Sequence, residues 1–169
     1  QGYLGELRHL IYNRVLGVRQ DPEGAIPWSW KVDQAQGGGA LGGWQSHCSD
    51  TIRWWFGEFA GIFGQIETYI KERKDPETGQ WRPATGDDTH AFLFRMVNGA
   101  LGSAYATAFS SIDLKSGSGC YVEAYGSEGN LIIQDENNLT GGRVGDTNLK
   151  TIPLPSLPQV SHPNAYRIG

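Results

Sequence analysis

The chain has 169 residues, a net charge of −4 and a pI near 5.5, with 24 glycines and 2 cysteines. That length suits a single domain with its own core. The lack of a basic patch argues against a nucleic-acid partner, and no apolar run is long enough to cross a membrane. No signal peptide is visible, and none would be in a fragment; a cytoplasmic location is the expectation.

In chain order, the stretch from Gly5 to Leu16 is rich in strand formers and reads as one long strand. A loop with two prolines follows, held down by Trp28 and Trp30. The glycine-rich run from Gly37 to Gly43 comes next and leads to Ser46 and His47. Glycine is favoured where backbone takes unusual dihedrals or approaches a neighbour closely, so the run marks a tight passage. Ser46 is suited to cap a helix, which puts His47 at its first position. Cys48, Thr51, Ile52, Trp55 and Phe59 recur at helical spacing, and Gly57 is suited to stop an amphipathic helix of about three turns.

From Ile62 to Ile70 the pattern alternates and predicts a strand. The cluster from Lys71 to Lys74 runs straight into Asp75 and Glu77 and reads as a solvated turn. The segments 89–97 and 100–110 predict two strands joined by an Asn98-Gly99 turn. The segments 119–126 and 130–135 predict a second hairpin around Ser127-Glu128-Gly129. Residues 137–148 read as loop, and 149–155 as an edge strand stopped by Pro153 and Pro155. The sum is an α+β fold: a mostly antiparallel open sheet of about six strands with one main helix on one face. Tyr105, Phe109, Tyr121 and Tyr125 supply bulky groups to the uncovered face, and such a patch reads as a partner surface.

Cys48 and Cys120 lie far apart, without CxxC spacing or a nearby His pair. Packing as small apolar groups is expected rather than a disulfide or a zinc site. His9 and His90 lie within strands and are read as structural, so no metal is assigned.

The stretch from Gly37 to Gly57 resembles the second-domain signature of the Gfo/Idh/MocA oxidoreductases, where a Gly-rich run leads to G-S-H and a helix reading D-x-x-R-W-x-x-G. Three more stretches fit the same family in the same order: GELRHL, DDTHAFLFRMVNGALGSAYATA and YVEAYGSEGNLII. The resemblance covers roughly Gly2 to Pro153. It implies that residues 1–169 form a single C-terminal substrate-binding and oligomerisation domain of a longer NAD- or NADP-dependent oxidoreductase. The expected substrate is a sugar, polyol or related hydroxy compound, and family members commonly form homodimers through the open sheet. The family's dinucleotide-binding unit, a strand running into a G-x-G-x-x-G turn and a helix, is not present, because no strand leads directly into Gly37, Gly38 and Gly39, so this chain alone is expected to bind no cofactor.

His47 matches the family's active-site histidine, and its neutral pKa range suits the acid–base step of hydride transfer. A helix N-terminus would favour its neutral form. Many members carry an aspartate four residues earlier, where this chain has Gly43, and that departure leaves open a non-catalytic module of the same fold. Asp50 reads as a helix-start charge paired with Arg53. Trp30 and Lys31 match a Trp-Arg pair that reaches toward the cofactor in many members; anchoring a surface loop is the other reading. Trp44 and Gln45 flank the glycine passage, and an aromatic face beside an amide suits a sugar ring, although Trp44 suits the core equally. Asn13 and Arg14 end the first strand, where the family often places substrate contacts, and a solvated strand end is the alternative. The glycines are expected to carry the backbone close under substrate and nicotinamide.

Overall fold

The structure is a computed structural model that describes residues 2–16, 26–109, 120–135 and 138–154. The strands are β1 (Leu7–Val15), β2 (Phe59–Glu67), β3 (Glu72–Lys74), β4 (Trp81–Pro83), β5 (Thr89–Met96), β6 (Leu101–Thr107), β7 (Cys120–Gly126), β8 (Gly129–Asp135), β9 (Asn138–Arg143) and β10 (Lys150–Thr151). Eight of them form one open sheet in the order β10-β9-β8-β7-β1-β6-β5-β2. All neighbours are antiparallel except β1 and β6, which run parallel. The α+β class holds, with more strands than the sequence suggested. The additions are β9, inside the segment read as loop, and the short β3–β4 hairpin inside the polar connection.

The register lines up rows of side chains across the sheet, because every second residue faces the same side. One row runs Ile62, Phe94, Gly102, Leu10, Ala124, Leu131. The next runs Gly64, Phe92, Ala104, Tyr12, Val122, Ile133, Leu139. Large and small residues alternate along both rows. The Phe94 ring lies over Gly102, where a Cβ would come within 2.2 Å of the ring. The single long helix α1 (Ser46–Phe56) covers this face, and its Cys48 and Ile52 join Leu10, Tyr12, Phe94, Met96 and Val122 in the core. The Cys48 thiol donates to the Tyr12 hydroxyl at 2.8 Å, and burial pushes that thiol up from its ordinary range. Cys48 thus packs as expected; the side chain of Cys120 lies outside the description.

The opposite face has no helix over it among the described residues. Phe63 and Leu93 are neighbours there, 79% and 62% exposed, and Leu101, Tyr105 and Tyr125 continue the patch. Tyr125 donates to the Glu123 carboxylate beside it; that bond first, then burial, pushes the phenol up to about 12. Phe109 leaves the patch and meets Tyr69 edge-on at 5.6 Å.

Two local expectations are corrected by packing. Arg73 of the basic cluster is buried, not solvated, and its Nη1 donates to the Ile26 carbonyl at 2.8 Å. Of the two tryptophans expected to hold the loop, Trp28 is the anchored one: its indole N–H donates to the Pro83 carbonyl at 2.9 Å and the Arg82 guanidinium lies over its ring. Trp30 is mostly exposed.

Candidate active site

Helical backbone begins at Ala40, six residues before the expected cap. Leu41–Gln45 form a π-helical turn in which the Ser46 N–H donates to the Leu41 carbonyl, and α1 continues from it. The Ser46 hydroxyl donates back to the Gly42 carbonyl at 2.8 Å, so it caps nothing. The cap comes from across the fold. The Asp87 carboxylate accepts the Leu41 N–H at 2.9 and 3.2 Å, and the Asp87 carbonyl accepts the Ala40 N–H at 2.8 Å. His47 therefore stands beyond the first turn of the helical segment and not at its N-terminus.

Gly38, Gly39 and Gly86 mark a crossing of the chain with itself. Gly39 has φ +116°, and a Cβ there would lie 2.2 Å from Asp87 Oδ1. A Cβ on Gly38 would lie 2.3 Å from the Trp30 carbonyl, and one on Gly86 2.8 Å from the Gly39 nitrogen. Gly43 differs: open space surrounds it.

Under the π-turn the sheet presents a polar row, Ile66, His90, Ala106, Arg14. His90 and Arg14 are two strands apart, about 10 Å. His90 is 1% exposed, and its ring stacks on Phe92. Its Nδ1 lies 3.3 Å from Asp87 Oδ2 and its Nε2 lies 3.1 Å from Gln45 Oε1. The Gln45 amide also donates to the Ser49 hydroxyl at 3.2 Å. At 3% exposure, Gln45 faces the sheet rather than open space.

Arg14 sits with its guanidinium 5.0 Å from the centre of the Trp44 ring, so these two expected substrate residues do meet. Its Nε is buried with no hydrogen-bond partner among the described residues. Asn13 points to the other face of the sheet, between Tyr105 and Tyr121. Consecutive strand residues face opposite sides of the sheet, so Asn13 does not join Arg14 beside Trp44.

His47 and Gly43 lie four residues apart on the outward face of the helical segment, and Trp54, 82% exposed, continues that face. The His47 imidazole is exposed and makes no hydrogen bond among the described residues. Asp50 Oδ1 lies 4.0 Å from Arg53 Nη1, the pair expected, and Arg53 also forks onto Glu58 at 2.7 and 2.8 Å. Trp30 and Lys31 occupy a 3₁₀ turn, Trp30–Val32, that abuts the glycine crossing; the Lys31 carbonyl accepts the Gly39 N–H at 3.0 Å.

A groove of about 630 Å³ lies at the far end of α1, lined by Tyr3, Leu4, Trp55, Phe56, Leu131 and Leu139 among others. Its lining is mostly apolar, with Tyr3 and Asn98 as its polar side chains. No group of His, Cys, Asp or Glu suited to a metal is found among the described residues, and no helix among them is long and apolar enough to cross a membrane.

Sequence reasoning missed Asp87 and set His90 aside as structural. Neither has a local signal, since Asp87 becomes a cap only when β5 meets a turn 46 residues earlier.

Residues 1–132 match the model of the GFO/IDH/MocA C-terminal domain. The chain is 30% identical over 138 residues to an uncharacterized oxidoreductase of Synechocystis, covering 81% of this chain and 36% of that protein. It is 29% identical over 130 residues to levoglucosan dehydrogenase of Pseudarthrobacter phenanthrenivorans, covering 69% of this chain and 32% of that one. The solved structure of a levoglucosan dehydrogenase with NADH and L-sorbose superposes with a TM-score of 0.77 at 25% identity, over 89% of this chain and 40% of that one. The chain thus spans about a third to two fifths of the length of these relatives. With the helix, the sheet and the glycine crossing all accounted for, this chain belongs to the GFO/IDH/MocA family, as its C-terminal domain.

Proposed function

We propose that this chain is the substrate-binding and oligomerisation domain of an NAD- or NADP-dependent oxidoreductase of the cytoplasm. Its substrate would be a sugar, polyol or related hydroxy compound, and His47 would exchange the hydroxyl proton during hydride transfer. The observation that carries the reading is the outward His47 imidazole, exposed and without a hydrogen bond among the described residues, at the sheet end where Arg14 stacks on Trp44. Relatives that bind NADH and a sugar support the substrate class. The cofactor would supply the hydride acceptor. This chain would contribute the proton-handling group and a sugar-facing wall of Trp44 and Arg14, with Trp30 and Lys31 at the cofactor side. The dinucleotide-binding half would lie elsewhere in the full-length protein.

The test is His47→Ala in the full-length protein. Turnover should fall by about 10²–10⁴, the usual share of a positioned acid–base group, with circular dichroism unchanged. A loss below about tenfold would overturn the role.

One observation favours a second reading, a binding or assembly module without chemistry. Gly43 has room for a side chain, yet carries none where many members place an aspartate beside the histidine. A full-length protein that turns over no hydroxy compound with either nicotinamide cofactor would select this reading. In both readings the open sheet face would pair two copies about a two-fold axis.

A further inference from the structure

We propose that Asp87, His90 and Gln45 form a clamp that holds the π-helical turn and thereby sets the direction in which α1 presents His47. A π-turn is a rare, poorly favoured piece of helix, found mostly as single turns and often near functional sites. Here both of its ends are tied to one short stretch of chain. At the start, the Leu41 N–H donates to the Asp87 carboxylate at 2.9 Å. At the end, Gln45 meets His90 at 3.1 Å, three residues along from Asp87. The 3.3 Å contact between Asp87 and His90 closes the loop inside the protein. All three side chains are at least nine-tenths buried.

The energetic argument follows from that burial. A buried carboxylate and a buried imidazole persist only if their hydrogen-bonding groups are met. As placed, both ring nitrogens of His90 face acceptor oxygens, Asp87 Oδ2 and Gln45 Oε1, which suits a ring carrying two N–H groups. Turning the Gln45 amide over, with the Ser49 hydroxyl then donating to it, suits a ring carrying one. Either way the ring needs Gln45 where the π-turn puts it. The glycines tighten the fit, since Gly39 is the residue whose missing Cβ lets Asp87 reach Leu41.

A π-turn uses more residues per turn than an α-helix. Relaxing Leu41–Gln45 to α-geometry would therefore rotate the rest of α1 about its axis relative to the glycine crossing. Cys48 and Ile52 resist that rotation from the core side, and the clamp resists it from the N-terminal side. Asp87, His90 and Gln45 thus act through His47 and are positioning residues. The kinetic half of the argument rests on the acid–base role proposed for His47; the structural half does not.

The experiment compares Asp87→Asn, His90→Gln and Gln45→Met with wild type in the full-length protein, by amide hydrogen exchange and steady-state kinetics. His90→Gln keeps a donor for Asp87, and Gln45→Met keeps the volume, so these two remain informative should Asp87→Asn fail to fold. Exchange at the 40–46 amides should rise about tenfold or more in Asp87→Asn and Gln45→Met, and less in His90→Gln, while β6 and β7 stay protected. In the same order kcat per titrated active site should fall by about ten- to a hundredfold, with the KM for cofactor unchanged. A clamp that only stabilised the fold would lower the thermal midpoint and leave kcat per active site alone; that result, or unchanged exchange at 40–46, overturns the proposal. If His47→Ala leaves turnover intact, the acid–base reading fails, and the exchange data still judge the clamp.

Discussion

Gly39→Ala and Gly43→Ala are the same chemical change four residues apart, and they should move stability in opposite directions. Gly39 has φ +116°, outside what an L side chain adopts easily, which costs about 1–3 kcal/mol. Its added methyl would also sit 2.2 Å from Asp87 Oδ1 and 3.0 Å from the Asp87 nitrogen. The carboxylate must then move and release the Leu41 N–H, a charge-assisted bond contributing about 1.5–3 kcal/mol. The sum is a loss of about 2.5–6 kcal/mol, or a fall in thermal midpoint of order 10 °C for a domain of this size. Gly43 lies in helical backbone with open space where the methyl would go. There alanine should stabilise by about 0.5–1 kcal/mol, because glycine loses more freedom on folding. Thermal unfolding of both variants by circular dichroism, with urea titration as a check, measures the split. Equal destabilisation at the two positions would refute the claim that the glycines serve a crossing at Gly39 rather than a flexible run as a whole.

Asp75 gives a pH-dependent expectation. The Arg82 guanidinium first, then the Glu77 backbone amide, hold its carboxyl below the usual range. A depressed native pKa adds stability that is fully present above the unfolded value, near 4, and is lost as pH falls through the native value. Asp75→Asn should therefore lower the urea midpoint at pH 7, with the gap to wild type closing below about pH 4; a gap that stays constant with pH would contradict this. For the open sheet face, Leu93→Asp should weaken dimerisation at least about thirtyfold, the effect of losing about 2 kcal/mol at a central contact. Sedimentation equilibrium reads that directly, and a wild-type monomer at micromolar concentration would count against the proposed pairing.

Much of the sheet could be read in the sequence because its signals are local. Asn98-Gly99 fixes one hairpin, and the alternation in 119–135 fixes another, so β5 to β8 came out in place. The helix was also legible from its apolar stripe and from Gly57 as its stop, where φ is +101° and the N–H returns to Arg53. Strand β9 escaped because NLTGGR offers little alternation of its own; Gly141 is tolerated there because Leu131, Ile152 and Tyr3 already fill the space. The start of the helix escaped for a different reason. Ser46 has the chemistry of a cap, but Asp87 outcompetes it from a distant part of the chain, and a charged acceptor for a free amide is the stronger one. The same contact turned Gln45 inward, so the residue that looked most like a sugar ligand beside Trp44 is spoken for by His90. His47 itself was found by its family pattern, with its outward placement following from the helix phase.

The position of β1 has consequences for how the domain assembles. It comes first in sequence yet lies in the interior of the sheet, parallel to β6 on one side and antiparallel to β7 on the other. To one side of it β2, β5 and β6 pair antiparallel in turn, and to the other β7 to β10 form a meander; both sets rest largely on near-neighbour pairings that can form early. Neither has a partner for its inner edge until β1 enters between them. During synthesis β1 must wait, exposed, while the next hundred or so residues emerge, because its partners are Leu101–Thr107 and Cys120–Gly126. Closing such long loops is slow, and the exposed inner edges of β6 and β7 are open to the wrong strand in the meantime. The strand that joins the two halves into one sheet is therefore also the one whose pairings span the greatest sequence separation among the described strands.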